Sequence, residues 1–461
     1  LFSHALGIVK GTISSNGQAL PFATVGLKNT TYGASTNSKG YFEIKNIPVG
    51  AYEVITSAIG FEKQSKKIII SESQLEMTFL FELKENQTNL NEVVISGTMK
   101  EVSKTESPVP VEVYTPALFK KNPTPNIFDA LQNVNGVRPQ LNCNVCNTGD
   151  IHINGLEGPY TMIMIDGMPI VSGLSSVYGL SGIPNSLVER IEIVKGPASS
   201  LYGSEAVGGL INIITKKTAN ADRLNLDVMA TSYQEYNVDA GVKYHLGKKV
   251  NSLLGINYFN YQKPVDYNND GFTDVTLQHR FSIFNKLNFE RKDNREASIA
   301  FRYFYEDRWG GEMNWNKQWR GTDSIYGESI FTGRYEVIAK YQLPLKERFF
   351  YNVSFNNHDQ NSVYGTTKFN AQQKILFNQL YWEKEFGKHS LLIGAAYRYT
   401  WYDDNTVITQ TNDSINPKNN PNNVALPGLF IQDEIKMNCN HKLLLGFRYD
   451  YNEAHGNIYT P

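Results

Sequence analysis

The chain has 461 residues, and its 44 Lys and Arg residues almost balance its 45 Asp and Glu residues, giving a formal net charge of −1. This length predicts two to four domains, and the balanced charge, without any strongly basic stretch, argues against a nucleic-acid-binding protein. The mean hydropathy of −0.37 and the lack of a long apolar run exclude a helical membrane protein but not a transmembrane β-barrel. Three cysteines cannot form a disulfide scaffold.

The N-terminal region is predicted to form a small antiparallel β-sandwich over residues 7–84. Five β-prone segments separated by turn residues cover 7–13, 23–27, 40–44, 51–58 and 66–70. These segments resemble the carboxypeptidase-regulatory-like domain, a non-catalytic module that often precedes outer-membrane receptors of Bacteroidetes-type bacteria. Residues 1–6, which include the small residue Ala5, are either a signal-peptide remnant or a chain boundary.

Residues 85–107 form a polar linker around one short β-branched segment. The segment consists of Leu90, Asn91, Glu92, Val93, Val94, Ile95, Ser96 and Gly97. A lone strand of this kind is either the last strand of the sandwich or a template for strand addition by another protein. Its position between two domains resembles the TonB box of energy-coupled outer-membrane receptors, which implies pairing with a TonB-type energy-transducing protein in the periplasm. We therefore expect the segment to be mobile.

Residues 108–218 are predicted to form a separate α+β domain. Thr124 and Pro125 predict a helix that runs through Leu131 and ends at Gly136. The glycine-rich stretch 203–209 lacks Gly-Lys-Ser/Thr and precedes a strand, which argues against a phosphate-binding loop. Three motifs then follow in order, namely Ile165-Asp166-Gly167, Val188-Glu189-Arg190-Ile191-Glu192 and Gly-Gly-Leu-Ile-Asn-Ile-Ile-Thr at 208–215. Together they closely resemble the plug domain of TonB-dependent receptors, which implies a domain that fills a barrel lumen and rearranges before substrate passes.

Residues 219–461 are predicted to be the N-terminal part of an antiparallel transmembrane β-barrel. Long segments alternate apolar and polar residues, as in Phe281, Ile283, Leu287 and Phe289 against Ser282, Lys286, Asn288 and Glu290. Aromatic residues crowd the segment ends, where interfacial girdles would lie. About eleven segments precede Pro461, half of the roughly 22 strands of a plugged outer-membrane transporter. A soluble sandwich would explain one such strand but fits the whole series poorly.

Residues 266–274 are a candidate calcium loop. The oxygen-bearing residues Asp266, Asn268, Asp270 and Asp274 are arranged around a glycine, like the beginning of an EF-hand loop. The twelfth position is Leu277 instead of the usual glutamate. The segment is therefore either a structural calcium site or a solvated acidic turn.

A predicted long loop carries a cluster of large side chains, Trp309, Met313, Trp315 and Trp319. Exposed aromatic side chains can form a platform for a ligand. They can equally pack the loop against its neighbours, and the sequence leaves both interpretations open.

Two of the three cysteines, Cys143 and Cys146, lie close together ahead of His152. In an oxidising compartment such a pair forms a local disulfide. Alternatively, thiolates and imidazole, with the thioethers of Met162, Met164 and Met168 downstream, would select a soft metal such as copper. Both interpretations stay open.

The sequence as a whole predicts a mainly β protein with a sandwich, a plug and a barrel in the outer membrane of a Gram-negative bacterium, its N-terminal domain in the periplasm. No nucleophile–base pair has a recognisable spacing, so an enzyme is not expected. The resemblance implies TonB-dependent import of a metal-containing nutrient, namely iron–siderophore, haem, cobalamin or copper. The expected partners are a TonB-type protein, outer-membrane lipid and the metal-complex ligand. The alternative is a surface binding or signalling receptor without transport.

Overall fold

The computed structural model describes residues 6–15, 17–58, 61–84, 93–121, 123–143, 148–170, 178–411, 413, 415–438 and 441–461. The chain divides into two compact units, Leu1–Val93 with Ser103–Thr105, and Val94–Val102 with Glu106–Pro461. Within these ranges the α-helices are short, and they are α1 (Pro116–Lys121), α2 (Ile127–Ala130), α3 (Tyr178–Ser181) and α4 (Ser199–Tyr202). None of the described helices has the length and apolar character needed to cross a membrane.

The first unit is a two-sheet β-sandwich. Its strands are β1 (Leu6–Ser15), β2 (Gln18–Ala19), β3 (Thr24–Leu27), β4 (Gly33–Ser35), β5 (Tyr41–Pro48), β6 (Gly50–Ser57), β7 (Gln64–Ile70) and β8 (Glu76–Glu82). One sheet has the order β2-β1-β5 with β8 parallel to β1, and the other has the order β4-β3-β6-β7. Alternate residues such as Val9, Ile13 and Val54 fill one shared core. Each of the five predicted segments contains a strand, which confirms the sandwich.

The linker and the α+β region supply the next nine strands. They are β9 (Val93–Val94), β10 (Val102–Ser103), β11 (Val111–Tyr114), β12 (Val137–Cys143), β13 (Thr148–Ile153), β14 (Thr161–Ile165), β15 (Met168–Pro169), β16 (Val188–Val194) and β17 (Gly209–Thr215). In the described residues, β9 pairs with β10, β12 pairs with β13, and the other five strands form a sheet of order β11-β16-β17-β14-β15. We call this five-stranded sheet, with its helices and the β12–β13 hairpin, the inner domain.

The predicted helix after Thr124 begins later than the sequence indicated. Asn126, and not Thr124, caps α2, because its side-chain oxygen accepts the Asp129 amide at 2.9 Å. Thr124 instead donates to the Asn126 carbonyl. The helix lasts one turn and continues as a 3₁₀ turn to Asn133, ahead of Gly136 at φ +73°. Asparagine is among the strongest N-capping residues, so the local bond outweighs the Thr-Pro signal.

The second unit also contains a large antiparallel sheet, which gives twelve strands in the described part of the chain where the sequence predicted about eleven. They are β18 (Leu224–Ala230), β19 (Tyr236–His245), β20 (Val250–Tyr261), β21 (Leu277–Phe289), β22 (Ala297–Gly311), β23 (Gly327–Gln342), β24 (Arg348–Tyr364), β25 (Thr367–Phe386), β26 (His389–Asp404), β27 (Asn422–Lys436), β28 (Lys442–Asn452) and β29 (Gly456–Thr460). Each strand pairs with the next one in the chain, and the connections are short except for 262–276, 312–326 and 405–421. This order confirms a meandering barrel-type sheet.

The two faces of the large sheet have opposite polarity. On one face the charged side chains of Arg280, Arg334 and Glu336 are almost completely buried. On the other face apolar side chains are exposed, for example Leu429 at 59% and Leu445 at 54%. A continuous exposed apolar face is unfavourable in water and is what lipid-facing strands present. The alternation predicted from the sequence therefore corresponds to an apolar outer face and a polar inner face.

The inner domain packs against the polar inner face of the large sheet. Its core residues Ile163, Ile191 and Ile213 join one hydrophobic cluster with Phe284 and Ile338 of the large sheet. Polar side chains of the large sheet also bind main-chain atoms of the inner domain. The bonds are Arg280 to the Pro125 carbonyl at 2.9 Å, Arg448 to the Leu201 carbonyl at 3.0 Å, Arg334 to the Ile170 carbonyl, and Asp239 accepting the Asn185 and Ser186 amides at 2.7 Å.

Candidate functional site

The predicted TonB box, residues 90–97, is called the docking segment below, and it is held along its second half. Leu90, Asn91 and Glu92 lie outside the described residues, whereas residues 93–97 are described. Val93 is 40% exposed, but Val94 and Ser96 are wholly buried. Val94 packs in an apolar cluster with Met164 of the inner domain. The sequence predicted a mobile strand. In the structure the strand covers only Val93–Val94, and residues 94–97 are anchored and not mobile.

Glu192 on strand β16 of the inner domain provides the anchor. Its carboxylate is wholly buried, and one oxygen accepts three hydrogen bonds from the segment. The donors are the Ile95 amide at 2.9 Å, the Ser96 amide at 2.8 Å and the Ser96 hydroxyl at 2.6 Å. The other carboxylate oxygen accepts Arg190 at 2.8 Å, which compensates the buried charge. Hydrogen bonds to an ionised group are roughly twice as strong as neutral ones.

Two further side chains complete the anchor around Ser96. Asn212 on β17 lies directly opposite Glu192 and donates its side-chain amide to the Ser96 hydroxyl at 2.9 Å. The Tyr202 hydroxyl donates to the Ser96 carbonyl at 3.1 Å. Burial, together with the charge of Glu192, raises the pKa of Tyr202, so its hydroxyl stays protonated as a donor. We call Ser96, Glu192, Asn212 and Tyr202 the Ser96 clamp.

Gly97 allows the chain to pass closely over the inner domain after the clamp. A β-carbon at this position would lie 2.9 Å from the Ser107 hydroxyl oxygen and 3.2 Å from carbons of Val109 and Val111. A larger residue would therefore push the segment away from the sheet. The glycine at the end of the predicted TonB box thus has a packing role.

Sequence reasoning identified Ser96 but not its partners in the clamp. Arg190 and Glu192 were visible only as part of a motif. The usable signal was three ionisable residues, Glu189, Arg190 and Glu192, inside a strand whose other members are buried apolar residues, because buried charges require dedicated partners. The identity of the partner could not be read from local pattern, since Ser96 and Glu192 are 96 residues apart.

The Asp166–Gly167 turn joins the inner domain to the large sheet. Both residues have positive φ, +50° and +78°. The Asp166 carboxylate accepts the Thr215 amide at 2.9 Å and the Lys286 ammonium at 2.7 Å. Although burial acts to raise it, the ammonium groups of Lys286 and Lys340 hold the pKa of Asp166 below its ordinary value. On the other side of the turn, the Gly167 amide donates to the side-chain oxygen of Asn212 at 2.9 Å.

The tryptophan cluster is partly packed. The rings of Trp309 and Trp315 are 5.0 Å apart, and Trp315 is 4% exposed. Trp315 also covers Gly327, which leaves no room for a side chain there. Met313 and Trp319 are only partly exposed. For Trp315 this placement favours the packing interpretation over a ligand platform.

The candidate calcium residues lie together in an exposed loop and already hold it by hydrogen bonds. Asp266 accepts the Gly271 amide at 2.9 Å, and Asp274 accepts the Tyr267 amide at 2.7 Å. The Asn268 side chain donates to Asp270 at 2.9 Å. Among the described residues, no group of three or more His, Cys, Asp or Glu side chains is arranged to hold a metal. Calcium at this loop stays a prediction.

The two ends of the candidate soft-metal site are separated in the β12–β13 hairpin. Cys143 pairs with Thr148, whereas His152 pairs with Arg138. Thr148 and His152 are four strand residues apart, or roughly 13 Å. His152 contacts the Asp150 carboxylate at 2.8 Å. Cys146 lies outside the described residues, so the disulfide and the soft metal both stay predictions.

Family models match almost the whole chain. Residues 9–95 match the carboxypeptidase-regulatory-like domain, residues 103–210 match the TonB-dependent receptor plug domain, and residues 205–461 match the TonB-dependent receptor-like β-barrel. The barrel model alone covers more than half of the chain. The order of the three matches is the order predicted from the sequence.

Solved structures of siderophore receptors share the fold. A variant of the ferric enterobactin receptor PfeA from Pseudomonas aeruginosa, in complex with enterobactin, aligns with a TM-score of 0.59 at 18% identity, covering 76% of this chain and 59% of that one. The siderophore receptor PirA from Acinetobacter baumannii gives 0.58 at 19% identity, covering 76% and 57%. The ferric-catecholate import receptor Fiu from E. coli K12 gives 0.55 at 14% identity, covering 77% and 61%. The chain thus spans about three fifths of their length, and identities this low establish the fold alone.

Proposed function

The chain belongs to the TonB-dependent receptor family, and we propose that the protein imports a ferric siderophore across the outer membrane with energy from a TonB-type partner. The observation that carries this proposal is the direct attachment of the docking segment to the neighbouring strands β16 and β17 of the plug through the Ser96 clamp. A segment bound in this way transmits a pull to the domain that must rearrange. A receptor that only binds its ligand has no use for that connection.

The membrane location is supported by the polarity of the large sheet. Its apolar outer face and polar inner face match a lipid-facing wall around a polar lumen. The inner domain packs on the polar face, where a plug lies in this family. The family as a whole therefore supports the outer membrane, and we propose that the N-terminal sandwich lies on the periplasmic side.

The choice of ferric siderophore rests on the structural neighbours. PfeA, PirA and Fiu are described as receptors for ferric enterobactin, siderophores and ferric catecholates. Haem, cobalamin and copper have no such support among these three neighbours.

Within the docking segment, Val93 is exposed while Val94 is buried. Strand addition by the TonB-type partner would therefore begin on residues 90–93.

Replacing Val93 with Pro tests the proposed coupling. Proline removes the backbone donor that an added strand needs, so uptake of radioactive ferric enterobactin by intact cells should fall roughly tenfold or more. Binding of the same complex to cells at low temperature should not change. The matched control is Val93→Thr, which keeps both the N–H group and a β-branched side chain. Equal uptake by both variants would contradict the proposed coupling through Val93. Binding by the wild type without uptake would favour a non-transporting receptor.

Metal analysis of the purified protein tests the two metal proposals. If the 266–274 loop holds calcium, Asp270→Ala should lose one equivalent of calcium, whereas Asp293→Ala, in another exposed turn, should lose none.

If Cys143 and Cys146 hold copper, Cys143→Ser should lose one equivalent of copper. Two thiols blocked without bound metal would establish the disulfide instead.

A further inference from the structure

We infer that the Ser96 clamp is the joint that couples the docking segment to the Asp166–Gly167 turn, so that opening the clamp releases this turn and strand β15. The inference rests on the proposed function, because it assumes that the segment is pulled by a partner. The bonds that break are those of the Ser96 clamp, and the part of the plug that is released is the Asp166–Gly167 turn with strand β15.

The clamp concentrates the polar attachment of the segment at one carboxylate. The Ile95 amide, the Ser96 amide and the Ser96 hydroxyl all bind the same oxygen of Glu192. Charge-assisted hydrogen bonds of this kind are strong in a buried, low-dielectric site. All three end on the same oxygen, however, so they depend on one position of the segment. A displacement of Ser96 therefore breaks them together, which makes the attachment switch-like.

Glu192 can lose the segment without becoming an unpaired buried charge. Arg190 binds its other oxygen through two nitrogens, each at 2.8 Å, and that contact does not involve the segment. Removing the partner of a buried ion is strongly destabilising, and Arg190 avoids this penalty. The clamp is thus able to open while the sheet that carries Glu192 stays intact.

Asn212 carries the effect from the clamp to the turn. Its side-chain nitrogen binds the Ser96 hydroxyl at 2.9 Å, and its side-chain oxygen binds the Gly167 amide at 2.9 Å. The Asn212 side chain is wholly buried, so loss of Ser96 leaves an amide donor without its partner. Leaving a buried donor unsatisfied is costly, and the amide therefore reorients away from the geometry that holds Gly167.

The turn is built to respond to this loss. Asp166 has φ +50°, a left-handed conformation that costs a non-glycine residue free energy and that the bonds of the turn help to hold. The following strand β15 has two residues and lies at the edge of the inner sheet, so it can separate without splitting the sheet. Ile170, directly after β15, is bound through its carbonyl by Arg334 of the large sheet. Release of the turn therefore loosens the contact between plug and barrel wall.

Hydrogen exchange on the purified protein in detergent tests this coupling without any partner. In Ser96→Ala, exchange of the Gly167 amide should become roughly tenfold to a hundredfold faster. The local opening that exposes this amide breaks about one or two fewer buried hydrogen bonds in the variant than in the wild type. The matched control is Ser107→Ala, since the Ser107 hydroxyl donates to the nearby Val109 carbonyl. Its Gly167 exchange should equal that of the wild type. Unchanged exchange of Gly167 in Ser96→Ala overturns the inference.

Asn212→Leu separates the relay from a general loosening of the plug. It keeps the Glu192 bonds to Ser96 but removes the bonds of Asn212 to the Ser96 hydroxyl and to the Gly167 amide. We expect faster exchange at Gly167 and little change at the Ile95 and Ser96 amides. Equal acceleration at all three amides, or in the strands of the large sheet, would show global destabilisation and overturn the relay.

Binding of a TonB-type C-terminal domain distinguishes failure of this inference from failure of the proposed function. Ser96→Ala should bind this domain several-fold more tightly than the wild type, because a larger fraction of the protein has a free segment. If exchange responds as expected but no variant binds the domain, the joint stands and the TonB-coupled function fails. If the domain binds equally to both proteins and Gly167 exchange is unchanged, the function stands and the joint fails.

Discussion

Replacing Glu336 with Gln should lower the free energy of unfolding by about 3–5 kcal/mol, because it removes the shared partner of two buried cations. Glu336 on β23 is 3% exposed. It accepts Arg334 at 2.6 Å and Arg302 at 3.0 Å. Both guanidinium groups are themselves buried between the large sheet and the inner domain. The substitution leaves two buried cations without the carboxylate that they share.

Denaturant unfolding in detergent micelles, followed by tryptophan fluorescence, measures this loss. The matched control is Glu347→Gln in the turn between β23 and β24, where the carboxylate is exposed and pairs with Lys384 at 2.5 Å. Exposed ion pairs contribute little, so the unfolding midpoint of the control should stay near that of the wild type. Similar midpoints for the two variants would contradict a charge network that supports the barrel wall.

Leu429→Arg should destabilise the protein in lipid by about 2–4 kcal/mol, the cost of a basic side chain near the bilayer midplane on a barrel strand. Leu429 lies at the middle of β27, and its side chain is 59% exposed on the apolar outer face. Its cross-strand neighbours are Ala395 and Tyr449, so an arginine there has no acidic partner within the pairs.

Folding into phospholipid vesicles and unfolding with urea measures the effect. The control is Leu345→Arg, the same chemical change in the turn between β23 and β24, where the leucine is 50% exposed. Because that turn lies beyond the strand ends, its free energy of unfolding should change little. Equal losses for both variants would show that the outer face does not contact lipid.

The sequence predicted the parts of the fold that repeat along the chain. A period of two in β21 separates Phe281 and Ile283 from Ser282, and these residues do lie on opposite faces. Such patterns are local, so they are readable without knowing the partners of a strand. The plug was predicted from ordered motifs, and its sheet contains Val188–Val194 and Gly209–Thr215 as strands.

The sequence did not predict contacts between distant residues. The clamp joins Ser96 to Glu192 and Asn212, and the expected mobile strand is anchored because these partners are buried opposite it. Similarly, β8 adds to the first sheet by parallel pairing with β1, more than sixty residues earlier in the chain. Pairing of this kind depends on the assembled tertiary structure, which overrides what a short segment favours by itself.

Side chains of the large sheet bind the inner domain mainly through its peptide groups, and this has a consequence for how the sequence can change over evolution. Arg280, Arg448 and Asp239 bind carbonyls or amides of the residues they hold. Every amino acid offers the same carbonyl, and every amino acid except proline offers the same amide N–H. Substitutions at Leu201 or Asn185 therefore keep these bonds wherever the backbone path is kept. Selection on the attachment falls on the barrel residues, and the plug surface is left freer to diversify.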